Sequence, residues 1–166
     1  MRVVRPTAAA VLAALFMLAA CDQQRIAKLE EGVSTEADVK REFGEPQAVF
    51  NEADGGRSFE YPRQPEGQTN YFFTIDAQGK MSALRQVLKP AEFAKIVPGL
   101  DKTEVRKRLG RPAKTQRFDL KPGEEHWEWR WLDGQLPKIF NVTFDKDGKV
   151  ASSNVADDLR STQGGQ

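Results

Sequence analysis

Four short blocks recur in the same order along this chain, 66 to 69 residues apart. Ile26-Ala27-Lys28-Leu29 with Gly32 returns as Phe93-Ala94-Lys95-Ile96 with Gly99. Val39 and Phe43-Gly44-Glu45-Pro46 return as Val105 and Leu109-Gly110-Arg111-Pro112. Phe59-Glu60-Tyr61 returns as Trp127-Glu128-Trp129. Ile75-Asp76-Ala77-Gln78-Gly79-Lys80-Met81 returns as Phe144-Asp145-Lys146-Asp147-Gly148-Lys149-Val150. Composition bias aligns one or two such blocks; four in order point to duplication. The spacing predicts two copies of one supersecondary unit, at 21–88 and 89–157, between a leader at 1–20 and a polar tail at 158–166.

Each copy reads the same way. An apolar turn (Ile26, Leu29; Phe93, Ile96) runs into a glycine. Thr35 and Asp101 are placed as N-caps, with Asp38 and Glu104 at the capping-box spacing. Val39 and Phe43, like Val105 and Leu109, are i,i+4, so each second helix has one apolar face. Gly44 and Gly110 suit a left-handed helix end, and Pro46 and Pro112 prevent continuation. Trp127, Trp129 and Trp131 then alternate with Glu128 and Arg130, the period of a strand with one buried face. Phe140, Val142 and Phe144 do the same, as do Tyr71, Phe73 and Ile75. Asp76–Lys80 and Asp145–Lys149 read as hairpin turns, followed by last strands at Met81–Leu88 and Val150–Val155. Residues 47–51 and 114–118 add a short edge strand. The expected class is α+β: two tandem αα-βββ(β) repeats, each a helix pair packed on an antiparallel sheet. Lys89-Pro90-Ala91 joins them closely.

The leader has a function of its own. Arg2 and Arg5 precede an apolar run of 13 residues, Ala8 to Ala20. The run is too short to span a bilayer, which takes about 20 residues, and has the layout of a secretory signal. Leu18-Ala19-Ala20-Cys21 resembles the lipobox of the lipoprotein signal peptidase. Cleavage before Cys21, the only cysteine, would leave its thiol to take a diacylglyceryl group and its amine a further acyl chain such as palmitate, a stable anchor. Without Arg2 and Arg5, 23 basic residues of the original 25 face 24 acidic ones, a formal charge of −1. Near-neutrality with no basic block gives no electrostatic case for nucleic acid. With no second cysteine, disulfides cannot staple the fold.

Gly, a short helix, Gly-x-Pro, an aromatic strand and a final Phe-x-x-x-Gly-x-Val hairpin resemble the BamE (SmpA/OmlA) lipoproteins. The matching residues are Gly99, Val105, Leu109, Gly110, Pro112, Trp127, Trp129, Phe144, Gly148 and Val150. Gly32, Val39, Gly44, Pro46, Phe59, Tyr61 and Gly79 carry a weaker match in the first copy. The resemblance implies an αα-βββ fold and a role in the outer-membrane β-barrel assembly machinery. The usual members carry one such unit. Tandem units resemble the secreted β-lactamase inhibitory proteins, whose two sheets clasp a partner.

No constellation of residues demands catalysis. His126, the sole histidine, follows Glu124 and Glu125 in a segment that reads as a turn, and no Gly-x-Ser-x-Gly elbow is present. A zinc site lacks ligands. Asp145–Gly148 fails the calcium-loop register, and there is no phosphate-cradling glycine motif. Glu124, Glu125 and Glu128 read as solvated carboxylates. Contact residues are a better prospect. Alternation turns Phe72 away from Tyr71 and Phe73, which makes it the first candidate partner contact, with Phe50 second. The loops Pro62–Thr69 and Asp133–Lys138 contribute Arg63 and Asp133. The expectation is a non-enzymatic lipoprotein, lipidated at Cys21, with no metal, cofactor, nucleic acid or small-molecule substrate. It binds the membrane through its anchor and a protein partner, which the resemblance gives as the assembly machinery. The alternative is a periplasmic inhibitor clasping a β-lactamase or other hydrolase. The family implies the periplasmic face of the outer membrane, while Asp22 after the lipidated cysteine resembles an inner-membrane retention signal.

Overall fold

A computed structural model describes residues 22–117 and 122–159. The leader, Cys21 and most of the tail lie outside them. Residues 22–26 are helical, and helix α1 (Glu36–Phe43) leads into strands β1 (Ala48–Asn51), β2 (Arg57–Pro62), β3 (Asn70–Ile75) and β4 (Met81–Gln86). A single turn, α2 (Pro90–Phe93), and helix α3 (Lys102–Leu109) precede β5 (Lys114–Arg117), β6 (Glu125–Asp133), β7 (Leu136–Phe144) and β8 (Val150–Asp157). The chain is therefore α+β, with two four-stranded antiparallel sheets in the orders β1-β2-β3-β4 and β5-β6-β7-β8. Equivalent bridges, Thr35 to Lys80 and Asp101 to Lys149, tie the start of each eight-residue helix to the last hairpin of its sheet.

Local chemistry explains the helix ends. Thr35 and Asp38 form the expected capping box, with the Asp38 carboxylate accepting from Thr35 N–H at 2.9 Å. Asp101 makes no such side-chain cap. Its carboxylate takes Lys149 Nζ at 2.8 Å instead, so the second capping box is not formed. Gly44 and Gly110 do sit at positive φ, +81° and +77°, but with ψ near −165° and −170°. That is the mirror-extended region reserved for glycine, not the left-handed helical cap expected. In each hairpin an Asp carboxylate (Asp76, Asp145) accepts the N–H groups two and four residues on, the Asx geometry of a tight turn.

The sheets differ in how many faces they bury. One face of the first sheet (Phe59, Tyr61, Phe73, Ile75) packs with Val39 of α1. Its other face carries Glu60, Asn70 and Phe72, all fully buried, because α3 lies against it. Phe72 belongs to the same cluster as Val105, Leu109, Trp129 and Phe144. The layers are therefore helix, sheet, helix, sheet. The outer face of the second sheet is polar: Glu128 and Asn141 stand opposite each other there, where Glu60 and Phe72 pair in the first.

Candidate functional site

The joint between the two halves is built around Gly110. Asn70 Nδ2 donates to the carbonyls of Leu109 (2.7 Å) and Arg111 (3.0 Å), holding the C-terminal end of α3. Glu60 accepts the Arg111 N–H and lies 2.6 Å from the Arg106 guanidinium. A Cβ on Gly110 would meet Asn70 Nδ2 and Glu60 Oε1 at 2.9 Å and Phe72 at 3.3 Å. A buried carboxylate survives there because a cation and a main-chain donor both face it.

A second constellation lies where the described chain begins. Asp22 is buried, and both its oxygens take Arg63, Nε and NH2 each at 2.8 Å, a bidentate pairing. Beside Arg63, Gln64 brackets the main chain of Arg130: Nε2 donates to the carbonyl (2.7 Å) and Oε1 accepts the N–H (3.2 Å). The Arg130 guanidinium donates to the Pro65 carbonyl (3.0 Å) and to the buried Asp158 (2.7 Å). One polar chain thus fastens residue 22 to both halves and to the end of β8. Past Arg130 the β6–β7 hairpin turns on Gly134 and Gln135, with Gly134 at φ +61°. Leu132, Leu136 and Leu159 are 44%, 62% and 66% exposed at this end. Leu132 lies opposite Pro137, Leu136 opposite Asp133, and the Pro137 carbonyl accepts Asp158 N–H at 3.1 Å. Strand alternation places Leu132 and Leu136 on opposite faces of the hairpin, so its tip exposes apolar surface on both sides.

The candidate residues divide between these places. Phe72 does face away from Tyr71, but it is 0% exposed, because the second half covers it; it is a joint residue and not a free contact. Phe50 is half-buried beside it, ring centroids 6.1 Å apart, with Arg106 over its ring. Arg63 and Asp133 both fall at the entry end, Arg63 paired and Asp133 exposed. Asp133–Lys138 is not a long loop: Asp133 and Leu136 pair directly, so only two residues turn. His126 lies in β6 and not in a turn, its Nδ1 3.2 Å from Thr143 Oγ1. Glu125 is buried, where a solvated carboxylate was expected. Burial pushes its pKa up, but hydrogen bonds from Lys102 (2.6 Å), Trp127 Nε1 (2.6 Å) and Arg117 (3.1 Å) outweigh that and hold it at about 2. Asp22, Asn70, Gln64 and Arg130 were missed as organisers. Asn70 and Gln64 flank the strand ends where a polar residue reads as loop, and their partners lie 39 to 66 residues away. Cys21 lies outside the described residues. A cleft of about 400 Å³ elsewhere is lined by Glu52, Asp54, Ser58, Thr74 and Arg85. Ser58 donates to Glu52, Gly56 N–H to Asp54, and Arg85 stacks over Phe72, so its groups serve one another.

No protein-family model and no curated protein matches the chain. Among solved structures it is similar to one described as an osmotically inducible lipoprotein, OsmE, at 23% identity over 46% of this chain and 88% of that one, TM-score 0.37. It is also similar to a DUF4309 family protein (YjgB) from Bacillus subtilis, at 19% identity over 78% of this chain and 82% of that one, TM-score 0.30.

Proposed function

We propose that the chain is the precursor of a lipoprotein, cut before Cys21, acylated there and anchored with its fold facing the periplasm. The observation that carries this reading is the junction. A lipobox, Leu18-Ala19-Ala20-Cys21, is followed at the very next residue by an aspartate buried in an ion pair with Arg63. Nothing separates anchor from fold, so the domain would lie against the bilayer at its entry end. The leucines at that end suit such a contact. Among the described residues no helix is long and apolar enough to cross a membrane. The outer membrane is the compartment proposed, since Asp22, which could act as a retention signal, is occupied by Arg63.

The role proposed is binding or scaffolding, not catalysis. Supporting it, the buried carboxylates Asp22, Glu60, Glu125 and Asp158 each face a basic side chain: Arg63, Arg106, Lys102 and Arg130. These are ion pairs of a scaffold. Matching sheet orders and matching bridges favour two tandem BamE-like units, at 21–88 and 89–157, and with them an accessory role in β-barrel assembly or envelope integrity. Cys21→Ser tests the anchor. The wild type should partition into detergent and carry the mass of its acyl chains; Cys21→Ser should stay uncleaved and unacylated. A wild type that is water-soluble and unmodified overturns the reading. Affinity purification from membranes tests the role: barrel-assembly proteins support the accessory function, and a soluble hydrolase recovered instead replaces it with the inhibitor.

A further inference from the structure

The two sheets protect their last strands differently. In the first, the N–H of Leu84 points away from β3 and donates to the Glu31 carboxylate at 2.9 Å, so a charged side chain closes the free edge of β4. The equivalent position in β8 is Ser153, since Leu84 stands opposite Phe73 and Ser153 opposite Val142 in the matching register. The segment beside β8 is held as in the first half: Gly99 N–H donates to the Val150 carbonyl and Val150 N–H to that of Leu100, just as Gly32 and Ser34 bracket Met81. The residue matching Glu31 is Pro98, which has no acceptor to offer. Among the described residues no main-chain bond covers the outer edge of β8 between Ala151 and Asp157. That stretch carries no Lys, Arg, Glu or Pro, the usual guards of an edge. The other outer strand of this sheet, β5, begins with Lys114 and ends with Arg117. Beside the open edge, Val155 and Val97 are 49% and 52% exposed. Ser153 Oγ bonds to the Ile96 carbonyl at 3.4 Å, which brings that segment alongside.

We propose that β8 is a docking strand, and that its partner is an extended, uncharged protein segment with apolar residues at alternate positions. The open N–H and C=O groups of Ser153 and Val155 would pair with the main chain of that segment. An apolar side chain of the added strand would cover Val155 and Val97 on the helix side. A charged segment would find no opposite charge beside Ser153 and Val155, since the one charge of the strand, Asp157, pairs with Lys138 at 2.6 Å, and a helix presents no free main chain to the edge. This names a partner class for the binding role proposed above, but the geometry does not depend on the lipid anchor.

The probe is a short synthetic peptide alternating Thr and Val, with acetylated and amidated ends so that it carries no charge, added to the full chain in detergent micelles. Hydrogen exchange is followed by NMR. The peptide should slow the Ser153 and Val155 amides by about tenfold, the effect of one net main-chain hydrogen bond, and leave Leu84 unchanged. Val155→Pro, tolerated at an outer edge because the lost N–H faces solvent, should abolish the slowing. Ser153→Lys, which restores a guard without altering the backbone, should weaken it and serves if the proline variant fails to fold. Unchanged exchange at saturating peptide, or slowing that survives both substitutions, overturns the proposal. So does protection of these two amides before any peptide is added, since the edge would then be covered already. None of these outcomes depends on acylation, which the Cys21→Ser test reads separately.

Discussion

Gly110 ends a helix and also admits one half of the molecule against the other. Gly44 occupies the same backbone conformation with open space around its Cβ position, so the pair separates the two roles. Gly44→Ala should destabilise by about 1–3 kcal/mol, the strain of a side chain in a glycine-only region. Gly110→Ala should lose more, because its methyl also collides with Asn70 and Glu60 at 2.9 Å. Thermal melts of the two variants give the order, and equal losses would mean that the joint yields freely. Glu125 makes a second residue-scale prediction. Its pKa of about 2 lies below the ordinary 4.5, so its contribution is complete above about pH 4.5 and is lost as the pH falls towards 2. Asp38, also held at about 2 by Thr35 and Arg41, titrates in the same window. Glu125→Gln should therefore melt lower than wild type at pH 6, and the gap should narrow as both are acidified to pH 2. A constant gap would remove the Lys102–Glu125–Arg117 cluster as its cause.

At the scale of elements, β3 is the strand most changed by its surroundings. Its alternation was legible: Tyr71, Phe73 and Ile75 share one face and Phe72 the other, as the period requires. What covered the second face was not, because alternation says only that Phe72 points away from the first core. The missing information is long-range, held in Asn70 and Glu60, whose partners sit in α3. A clue does exist in the sequence. The face that carries Phe50 and Phe72 in one sheet carries Gln116 and Asn141 in the other, which marks one sheet as covered and the other as an outer surface. Helices and hairpins were legible for a different reason: capping, i,i+4 spacing and Asx turns act within a few residues. Buried Glu125 and paired Asp101 escaped because their partners, Lys102 and Lys149, come from other elements. Phe72→Ala should consequently lose about 3–5 kcal/mol, the usual penalty for a truncated core Phe. Chemical denaturation measures it, and Trp129, in the other half's core, should report the same lowered midpoint as the first-half probe Tyr61. A loss seen at Tyr61 alone would show that the halves unfold independently.

At the scale of the whole molecule, the polar outer face of the second sheet closes the stack, while the entry end gives it a direction. Loops 63–69 and the β6–β7 hairpin lie with Asp22 at that end; the turns 52–56, 76–80 and 145–149 lie at the other ends of the same strands. If Cys21 is acylated, no slack remains between lipid and fold, and the tip of the β6–β7 hairpin, with Leu132 and Leu136 exposed on its two faces, is the part brought to the interface. Burying one exposed leucine there is worth about 1.5–3 kcal/mol, enough to fix orientation once the anchor has removed the search in solution. With Cys21 acylated, Asp133→Cys provides a single free thiol for an environment-sensitive dye. In proteoliposomes that dye should shift to the blue, whereas the same dye on Asp54→Cys, at the far end, should not. Adding Leu136→Asp to the first labelled protein places a charge where the apolar tip would enter and should cancel the shift without releasing the protein from the vesicles. Equal emission from both positions would mean that the anchored domain tumbles freely, with the ion pair of Asp22 and Arg63 opened at the membrane.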